Sequence, residues 1–343
     1  MKLVTYLPTG RQRSRVGVLL VHGHVEYIID ATLAYACVLR DVEHDPYAED
    51  VAAARVPTDM IQLLAGAEAS IAAVQKGANH IEGALRRGAS TLVFAVRGAL
   101  HQRVAVKLLA PIPRPGKIVA IGANYHDHIL EGRQTGALAQ LPSYPPAFLK
   151  MSSAVVGPED PIVYPSFGSE LDYEVEFSMV IGKPCQDIGA ENWLDYVAGF
   201  TIVNDLSLRD VILEERDTGP VFAGKNFATG CPMGPVIVTR DEISSPQKLA
   251  VQLRVNGETR QRDSTANMIH SCGAILAYWS RLGLECGDVV TTGTPGGGAG
   301  FRRKHSERLL KVGDVVEAEI EGIGVLRNTV VAKQAATDMP TPA

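Results

Sequence analysis

Two acidic side chains that could bind a metal ion lie in an otherwise apolar part of the chain. Glu174 and Glu176 are two residues apart at the start of the apolar run 175–181. Residues two apart in a β-strand point to the same face, so the two carboxylates would lie side by side. Adjacent carboxylates repel and raise each other's pKa unless a cation lies between them. The next strand-like run, 197–203, is followed by Asp205, so the three acids could converge on one ion.

The all-oxygen character of this set indicates which ion it would prefer. Carboxylates suit hard cations such as Mg²⁺, Mn²⁺ or Ca²⁺, whereas zinc prefers nitrogen and sulfur ligands. The alternative is an antiparallel strand with ordinary acidic residues on its solvent-facing side. The residue pattern alone leaves both interpretations open.

A histidine and a glutamate form a second candidate pair. His128 and Glu131 are three residues apart and would share one face if their segment is helical. A carboxylate can orient an imidazole and make it a general base near neutral pH. The alternative is a hydrogen bond at the surface, because His and Glu side chains are mostly exposed.

Two cations could contact a bound substrate. Arg209 follows Asp205 by four residues and could clamp a substrate carboxylate. A structural ion pair of Arg209 with Asp210 or Glu214 fits the spacing equally well. Lys225, which lies among glycine and aromatic residues, could be a fixed cation.

The glycine-dense run 292–300 allows a close approach of the backbone to a ligand. It matches neither the P-loop pattern nor the dinucleotide-binding fingerprint, and the sequence lacks the nucleophile elbow of serine hydrolases. These three classes of protein are therefore disfavoured.

The regular elements divide the chain into two parts. Strand-like runs at 16–20 and 25–29 precede a helical pattern over 58–87, for which Gly77 and Gly88 are the predicted stops. Three prolines within 109–116 mark a boundary. We therefore predict an N-terminal α+β domain at 1–112, a catalytic domain at 113–333 and a flexible tail at 334–343.

The second part reads as a sheet protein, because its strand-like runs are separated by turns rather than by regular long helices. This favours a mixed, sandwich-like or rolled sheet over a doubly wound one. The runs are 118–121, 175–181, 197–203, 235–238, 249–255, 289–292 and 315–320.

Composition restricts the surroundings and partners of the protein. The net charge of -5 argues against nucleic-acid binding, which needs clustered Lys and Arg. The five cysteines are scattered without a CxxC pair, which fits a reducing cytoplasm. Neither a signal peptide nor a membrane-spanning run is expected.

Taken in order, several blocks resemble the fumarylacetoacetate hydrolase family from about Lys117 to Val331. The order and spacing of the blocks together are specific to that family, and they favour the metal site over a solvent-facing strand. The blocks are 124–131, 148–150, 172–176, 204–210, 224–227 and 292–295.

The resemblance implies an α+β fold, a mixed β-sandwich roll with a smaller N-terminal domain, often dimeric. It implies Mg²⁺ or Mn²⁺, with Ca²⁺ as a further alternative, bound by Glu174, Glu176 and Asp205. It also implies a mobile lid that carries His128 and Glu131, with Lys225 as a third catalytic residue. The residues expected to bind substrate are Tyr125, Lys150, Arg209 and Thr294.

The function expected from the resemblance is hydrolysis of a carbon–carbon bond in a 1,3-dicarbonyl or acylpyruvate-type 2-oxo acid. Water activated by His128 and Glu131 would attack the substrate. A 2-oxo acid decarboxylase or an enol isomerase is the alternative, since all three reactions share an enolate. An alternative of another class is a non-catalytic metal-binding scaffold. Ile212 stands where the family often has glutamine, so one polar substrate contact would be missing.

Overall fold

The structure is a computed structural model that describes residues 1–134, 143–299 and 306–333. The predicted tail, 334–343, lies outside these residues. The first strands are β1 (Lys2–Pro8), β2 (Arg15–His22), β3 (Val25–Asp30), β4 (Leu100–Gln102) and β5 (Val106–Leu109). They are followed by β6 (Ile118–Ile121), β7 (Ala147–Lys150), β8 (Val155–Val156), β9 (Ile162–Val163), β10 (Leu171–Asp172), β11 (Val175–Ile181) and β12 (Val197–Asn204). The last are β13 (Ser207–Leu208), β14 (Cys231–Thr239), β15 (Ala250–Val255), β16 (Glu258–Ser264), β17 (Val289–Thr291), β18 (Val315–Ile320) and β19 (Gly324–Val331).

The helices of the described residues belong mostly to the N-terminal part of the chain. They are α1 (Ala31–Asp41), α2 (Ala48–Arg55), α3 (Met60–Ala65), α4 (Ala67–Arg86), α5 (Thr91–Ala95), α6 (His126–Gln134), α7 (Arg209–Thr218) and α8 (Cys272–Trp279).

Most strands belong to a large mixed sheet and a smaller one that pack face to face, and β10 and β13 form a separate two-stranded sheet. The large sheet has the order β4-β3-β2-β1-β14-β12-β11-β17-β6-β7, with β5 beside β1 and β8 beside β14. The smaller sheet has the order β16-β15-β18-β19-β9. Phe177 and Phe200 of the large sheet share one core with Leu253 and Ala318 of the smaller sheet. This is the α+β, sandwich-like arrangement that the sequence predicts.

The N-terminal helices cover the other face of the large sheet. Leu63 and Ile81 of these helices belong to a second core with Val180 and Ile237 of the sheet. Strand β11 therefore lies between two apolar layers, and every residue in it is buried. A polar side chain at the end of this strand is held away from bulk water.

The N-terminal strands are hydrogen-bonded directly to the central strands. Lys2 of β1 pairs with Val238 of β14, and Thr5 donates its hydroxyl to the carbonyl of Pro111 at 2.7 Å. The division at 112/113 remains a prediction, but both parts contribute strands to one continuous sheet.

Gly77 was wrongly expected to end a helix, because it lies inside α4. A Cβ at Gly77 would lie 2.7 Å from Tyr35 N and 2.9 Å from Ala34 C. Its missing side chain therefore lets α1 pack directly on α4. Gly88, with φ +89°, follows the end of α4 as predicted.

Two further expectations concern the chain as a whole. All five cysteines are free. Across the ranges 1–134, 143–299 and 306–333, no helix combines the length and apolar character that a membrane span would need.

Candidate metal and active site

The pairing of β11 with β12 brings the three predicted metal ligands together. Val175 pairs with Asn204, and the amide of Asp205 donates to the carbonyl of Glu174 at 2.8 Å. Carboxylate oxygens of Glu174, Glu176 and Asp205 all lie within 4.8 Å of one another. Their exposed fractions are 4%, 1% and 1%, so the alternative of a solvent-facing acidic strand is wrong.

Three cations surround two of these acids. The ammonium of Lys225 lies 2.5 Å from Glu174 Oε2 and 2.6 Å from Asp205 Oδ2. Lys150 lies 2.6 Å from Asp205 Oδ1, and the guanidinium of Arg209 bonds to Glu174 Oε1. The chain thus places two lysines predicted as site residues directly on the acidic set.

The environment shifts the pKa values of the two glutamates in opposite directions. Burial alone would raise the pKa of Glu174, but the charges of Arg209 and Lys225 lower it overall. Burial, together with the charges of Asp205 and Glu174, holds the pKa of Glu176 well above its ordinary value. A nearby positive charge would therefore favour the ionised form of Glu176 more than that of Glu174.

The donor set fits a hard divalent cation. Each carboxylate oxygen has lone pairs beyond those that accept from a lysine or arginine. Among the described residues, no ammonium or guanidinium lies in salt-bridge contact with Glu176. A divalent ion held by Glu174, Glu176 and Asp205 would supply the positive charge that ionised Glu176 requires.

Asp172 is a residue of the site that the sequence predictions missed. Its carboxylate accepts from Arg209 Nε at 2.8 Å and from the amide of Ala299 at 2.9 Å. Arg209 therefore bridges Asp172 and Glu174, one of the predicted metal ligands. The alternative considered from the sequence was an ion pair of Arg209 with Asp210 or Glu214. The ion pairs found in the structure join Arg209 to Asp172 and Glu174. The alternating spacing 172, 174, 176 was the available signal for Asp172.

Replacing Asp172 with asparagine should lower the free energy of unfolding by about 3 kcal/mol, because it removes one partner of a buried ion pair. Thermal or urea unfolding of the metal-free protein measures this change. Asp195→Asn is the matched control, since Asp195 is exposed. An unchanged unfolding midpoint for Asp172→Asn would contradict the structural importance of the Asp172–Arg209 pair.

The predicted lid segment is the helix α6, and its His128 is buried with 5% of its surface exposed. Burial lowers the pKa of the imidazole, partly opposed by the charge of Glu174. The carboxylate of Glu131 accepts from the amide of Gly297 at 3.1 Å. The glycine-dense run thus binds the carboxylate of Glu131. The lack of a side chain at Gly296 lets α6 approach this run, since a Cβ there would lie 3.0 Å from Asp127 Cβ.

The remaining predicted substrate residues are both buried but differ in their hydrogen bonds. Tyr125 is buried, and its hydroxyl has no hydrogen-bond partner within the described part of the chain. The hydroxyl of Thr294 donates to the carbonyl of Val175 at 3.0 Å and accepts from Gln261 at 2.9 Å. Thr294 therefore holds the ligand-bearing strand, and its predicted contact with substrate remains a prediction.

An apolar cavity of about 480 Å³ lies beside strand β7 and residues 220–222. Its wall includes Phe148, whose ring lies 5.0 Å from the ammonium of Lys225. Ile212 is buried behind the loop of Lys225, where a Cβ on Gly224 would lie 2.5 Å from Ile212 Cγ1. The cavity is lined by Gly122, Pro146, Ala147, Phe148, Leu149, Pro220, Val221 and Phe222.

The fold and this buried site define the class of protein: an α+β protein of sandwich-like sheets with a carboxylate site of the kind that holds a divalent cation. The family model described as fumarylacetoacetate (FAA) hydrolase C-terminal matches residues 117–331. Because this match covers more than half of the chain, the protein belongs to the fumarylacetoacetate hydrolase family.

Relatives within the family carry several activities. The chain is 40% identical over 253 residues to a mitochondrial oxaloacetate tautomerase of Rattus norvegicus, covering 72% of this chain and 78% of the relative. It is 42% identical over 229 residues to an oxaloacetate tautomerase of Bacillus subtilis, covering 66% and 73%. A solved maleylpyruvate hydrolase from Sphingobium sp. SYK-6, in complex with manganese(II) and pyruvate, is 27% identical with a TM-score of 0.64, covering 97% of this chain and 100% of that structure.

Proposed function

We propose that this protein is a divalent-metal-dependent enol isomerase that interconverts the enol and keto forms of an oxaloacetate-like 2-oxo acid. The observation that carries the proposal is the buried carboxylate set with Lys150 and Lys225 against it. Two relatives at 40% and 42% identity are oxaloacetate tautomerases, and they favour isomerisation over the hydrolysis first expected.

The residues that would hold the ion are Glu174, Glu176 and Asp205, with Mg²⁺ or Mn²⁺ preferred and Ca²⁺ as an alternative. When bound, such an ion supplies Lewis-acid polarisation of the substrate oxygens, which contributes several kcal/mol to catalysis. The manganese complex of the Sphingobium hydrolase supports a divalent ion in this fold.

Two lysines and one histidine of the chain would stabilise the charge on the substrate and transfer its proton. Lys150 and Lys225 would stabilise the negative charge that develops on the enol oxygen. His128 would accept the proton of the enol hydroxyl, and the imidazolium so formed would return a proton to the adjacent carbon, which completes the keto form and leaves His128 neutral again. Burial lowers the pKa of His128, so the imidazole is neutral and able to accept a proton at pH 7.

Hydrolysis of a carbon–carbon bond is the second candidate function. The lid helix with His128 and Glu131 favours it, because this pair could activate water, and the Sphingobium relative is a maleylpyruvate hydrolase. Decarboxylation passes through the same enolate and stays an alternative. A non-catalytic scaffold is disfavoured by the cations that contact the buried acids.

The test follows the loss of enol absorbance of freshly dissolved oxaloacetate, with the pyruvate released measured separately. We expect the protein to accelerate enol loss without carbon–carbon cleavage. EDTA should reduce the enzymatic rate at least ~100-fold, and Mg²⁺ or Mn²⁺ should restore it. A panel of acylpyruvates tests the second candidate. Cleavage of an acylpyruvate without oxaloacetate tautomerisation would contradict the isomerase proposal and support carbon–carbon hydrolysis as the function.

Three broader features also belong to this proposal. We infer a homodimer, a small-molecule oxo-acid or diketone as the partner rather than nucleic acid or membrane, and a cytoplasmic location. The related tautomerases include a mitochondrial and a bacterial protein, so location is best tested by imaging a tagged chain in its own cell. Light scattering in solution tests the dimer.

A further inference from the structure

One glutamine far from the metal ligands in sequence is fixed against the strand that carries them. Gln261 lies in β16, a strand whose other residues are exposed or half-buried, yet its own exposed fraction is 1%. Its side-chain oxygen accepts from the amide of Val175 at 3.0 Å. Its nitrogen donates to Thr294 Oγ1 at 2.9 Å and to the carbonyl of Pro295 at 2.8 Å. The amide group thus makes three buried hydrogen bonds.

The position of Val175 makes these bonds important for the site. Val175 lies between Glu174 and Glu176, so the orientation of its peptide groups helps to set where both carboxylates point. Strand β17 pairs with β11 only from Ser178 to Val180. On the side of Val175 away from β12, Gln261 and Thr294 take the place of a neighbouring strand. Gln261 accepts from the Val175 amide, and Thr294 donates to the Val175 carbonyl at 3.0 Å.

Gln261 also fixes the glycine-dense loop, which binds Glu131 of α6. The carbonyl of Pro295 accepts from Gln261, and the amide of Gly297, two residues later, donates to Glu131 of α6. A Cβ on Gly297 would lie 2.2 Å from the carbonyl oxygen of Arg260. The loop therefore lies directly on the backbone of β16, next to Gln261.

We propose that Gln261 is a positioning residue that fixes the metal-ligand strand and the lid-binding loop relative to each other. Its side-chain hydrogen bonds go to Val175, Thr294 and Pro295, and it acts through these residues. This inference rests on the proposed metal site, because its measurable consequence is the affinity for a divalent ion. Without the glutamine, the buried amide of Val175 would lose its partner, and the two glutamates would be less firmly oriented.

The test compares Gln261→Met with Gln252→Met. Methionine is neutral and of similar length, so the change removes the hydrogen bonds without adding charge. Gln252 lies in the neighbouring strand β15, and its amide donates to Thr259 at the surface. Mn²⁺ alone is titrated into each metal-free protein and followed by electron paramagnetic resonance. Unfolding of the same metal-free samples is measured in parallel.

We expect Gln261→Met to weaken Mn²⁺ binding ~10–100-fold, the range typical of groups that orient metal ligands. Gln252→Met should bind Mn²⁺ as the wild type does. Equal Mn²⁺ affinity of Gln261→Met and wild type, with or without a lowered unfolding midpoint, would overturn the proposal and leave Gln261 a purely structural residue. If the wild type itself binds no Mn²⁺, the metal site fails, which is a separate result.

A second pair of variants keeps the test informative if Gln261→Met does not fold. Thr294→Val removes the hydroxyl that links Gln261 to the carbonyl of Val175, whereas Thr294→Ser keeps it. We expect Thr294→Val to weaken Mn²⁺ binding, and we expect Thr294→Ser to keep most of the wild-type affinity for Mn²⁺. Equal affinities of these two variants would refute the positioning path through Thr294.

Discussion

Asp205→Asn should lower kcat/KM by about 10³-fold and abolish measurable Mn²⁺ binding at micromolar metal. The removed charge is one of three carboxylates that meet in the site, and it lies against both Lys150 and Lys225. A loss of about 4 kcal/mol of transition-state stabilisation, the size of a metal contribution, corresponds to this change in rate. Steady-state kinetics with enol oxaloacetate and Mn²⁺ titration measure the two effects.

The matched control for this prediction is Asp217→Asn, which makes the same substitution at an exposed position of α7. It should leave kcat/KM and Mn²⁺ affinity unchanged. If Asp205→Asn bound Mn²⁺ as tightly as the wild type, Asp205 would not be a ligand, and the three-carboxylate site would have to be abandoned.

The acidic spacing was the part of the site that the sequence could supply. A two-residue period places Glu174 and Glu176 on one strand face whatever the surrounding fold, and the structure brings their carboxylates together. Whether that face is exposed to solvent or buried depends on the elements that pack on it. The two-residue period carries no information about those elements. Only the ordered family blocks favoured the buried site, and they did so by resemblance.

Contacts between distant positions were the part that the sequence could not supply. Arg209 meets Asp172 across 37 positions, and Gln261 meets Val175 across 86. Spacing along the chain suggested nearby acids as partners for Arg209, because such reasoning sees only residues that are close in sequence. The partner found in the structure is brought close by the pairing of β10 with β13.

The fold was predictable where periodicity is strong. The bounds predicted for β11 and β18 coincide with those of the structure. Gly77 was misread because its cause is tertiary: α1 packs so closely on α4 that a Cβ would clash with its backbone. A glycine required by packing and a glycine that ends a helix look alike in sequence.

His128→Asn should reduce the rate of enol loss by ~10²–10⁴-fold, the contribution typical of a general base, and leave Mn²⁺ affinity within about twofold. Burial lowers the pKa of His128 below its ordinary value. The neutral, active form therefore persists as the pH falls, and wild-type kcat/KM should decline only below the ordinary histidine pKa of about 6.5. This acid limb should disappear in His128→Asn.

His126→Asn is the control, because His126 is exposed in the same helix, and it should keep both the rate and the acid limb. Full activity of His128→Asn with an unchanged pH profile would assign the proton transfer to another group and leave His128 as a buried part of the lid.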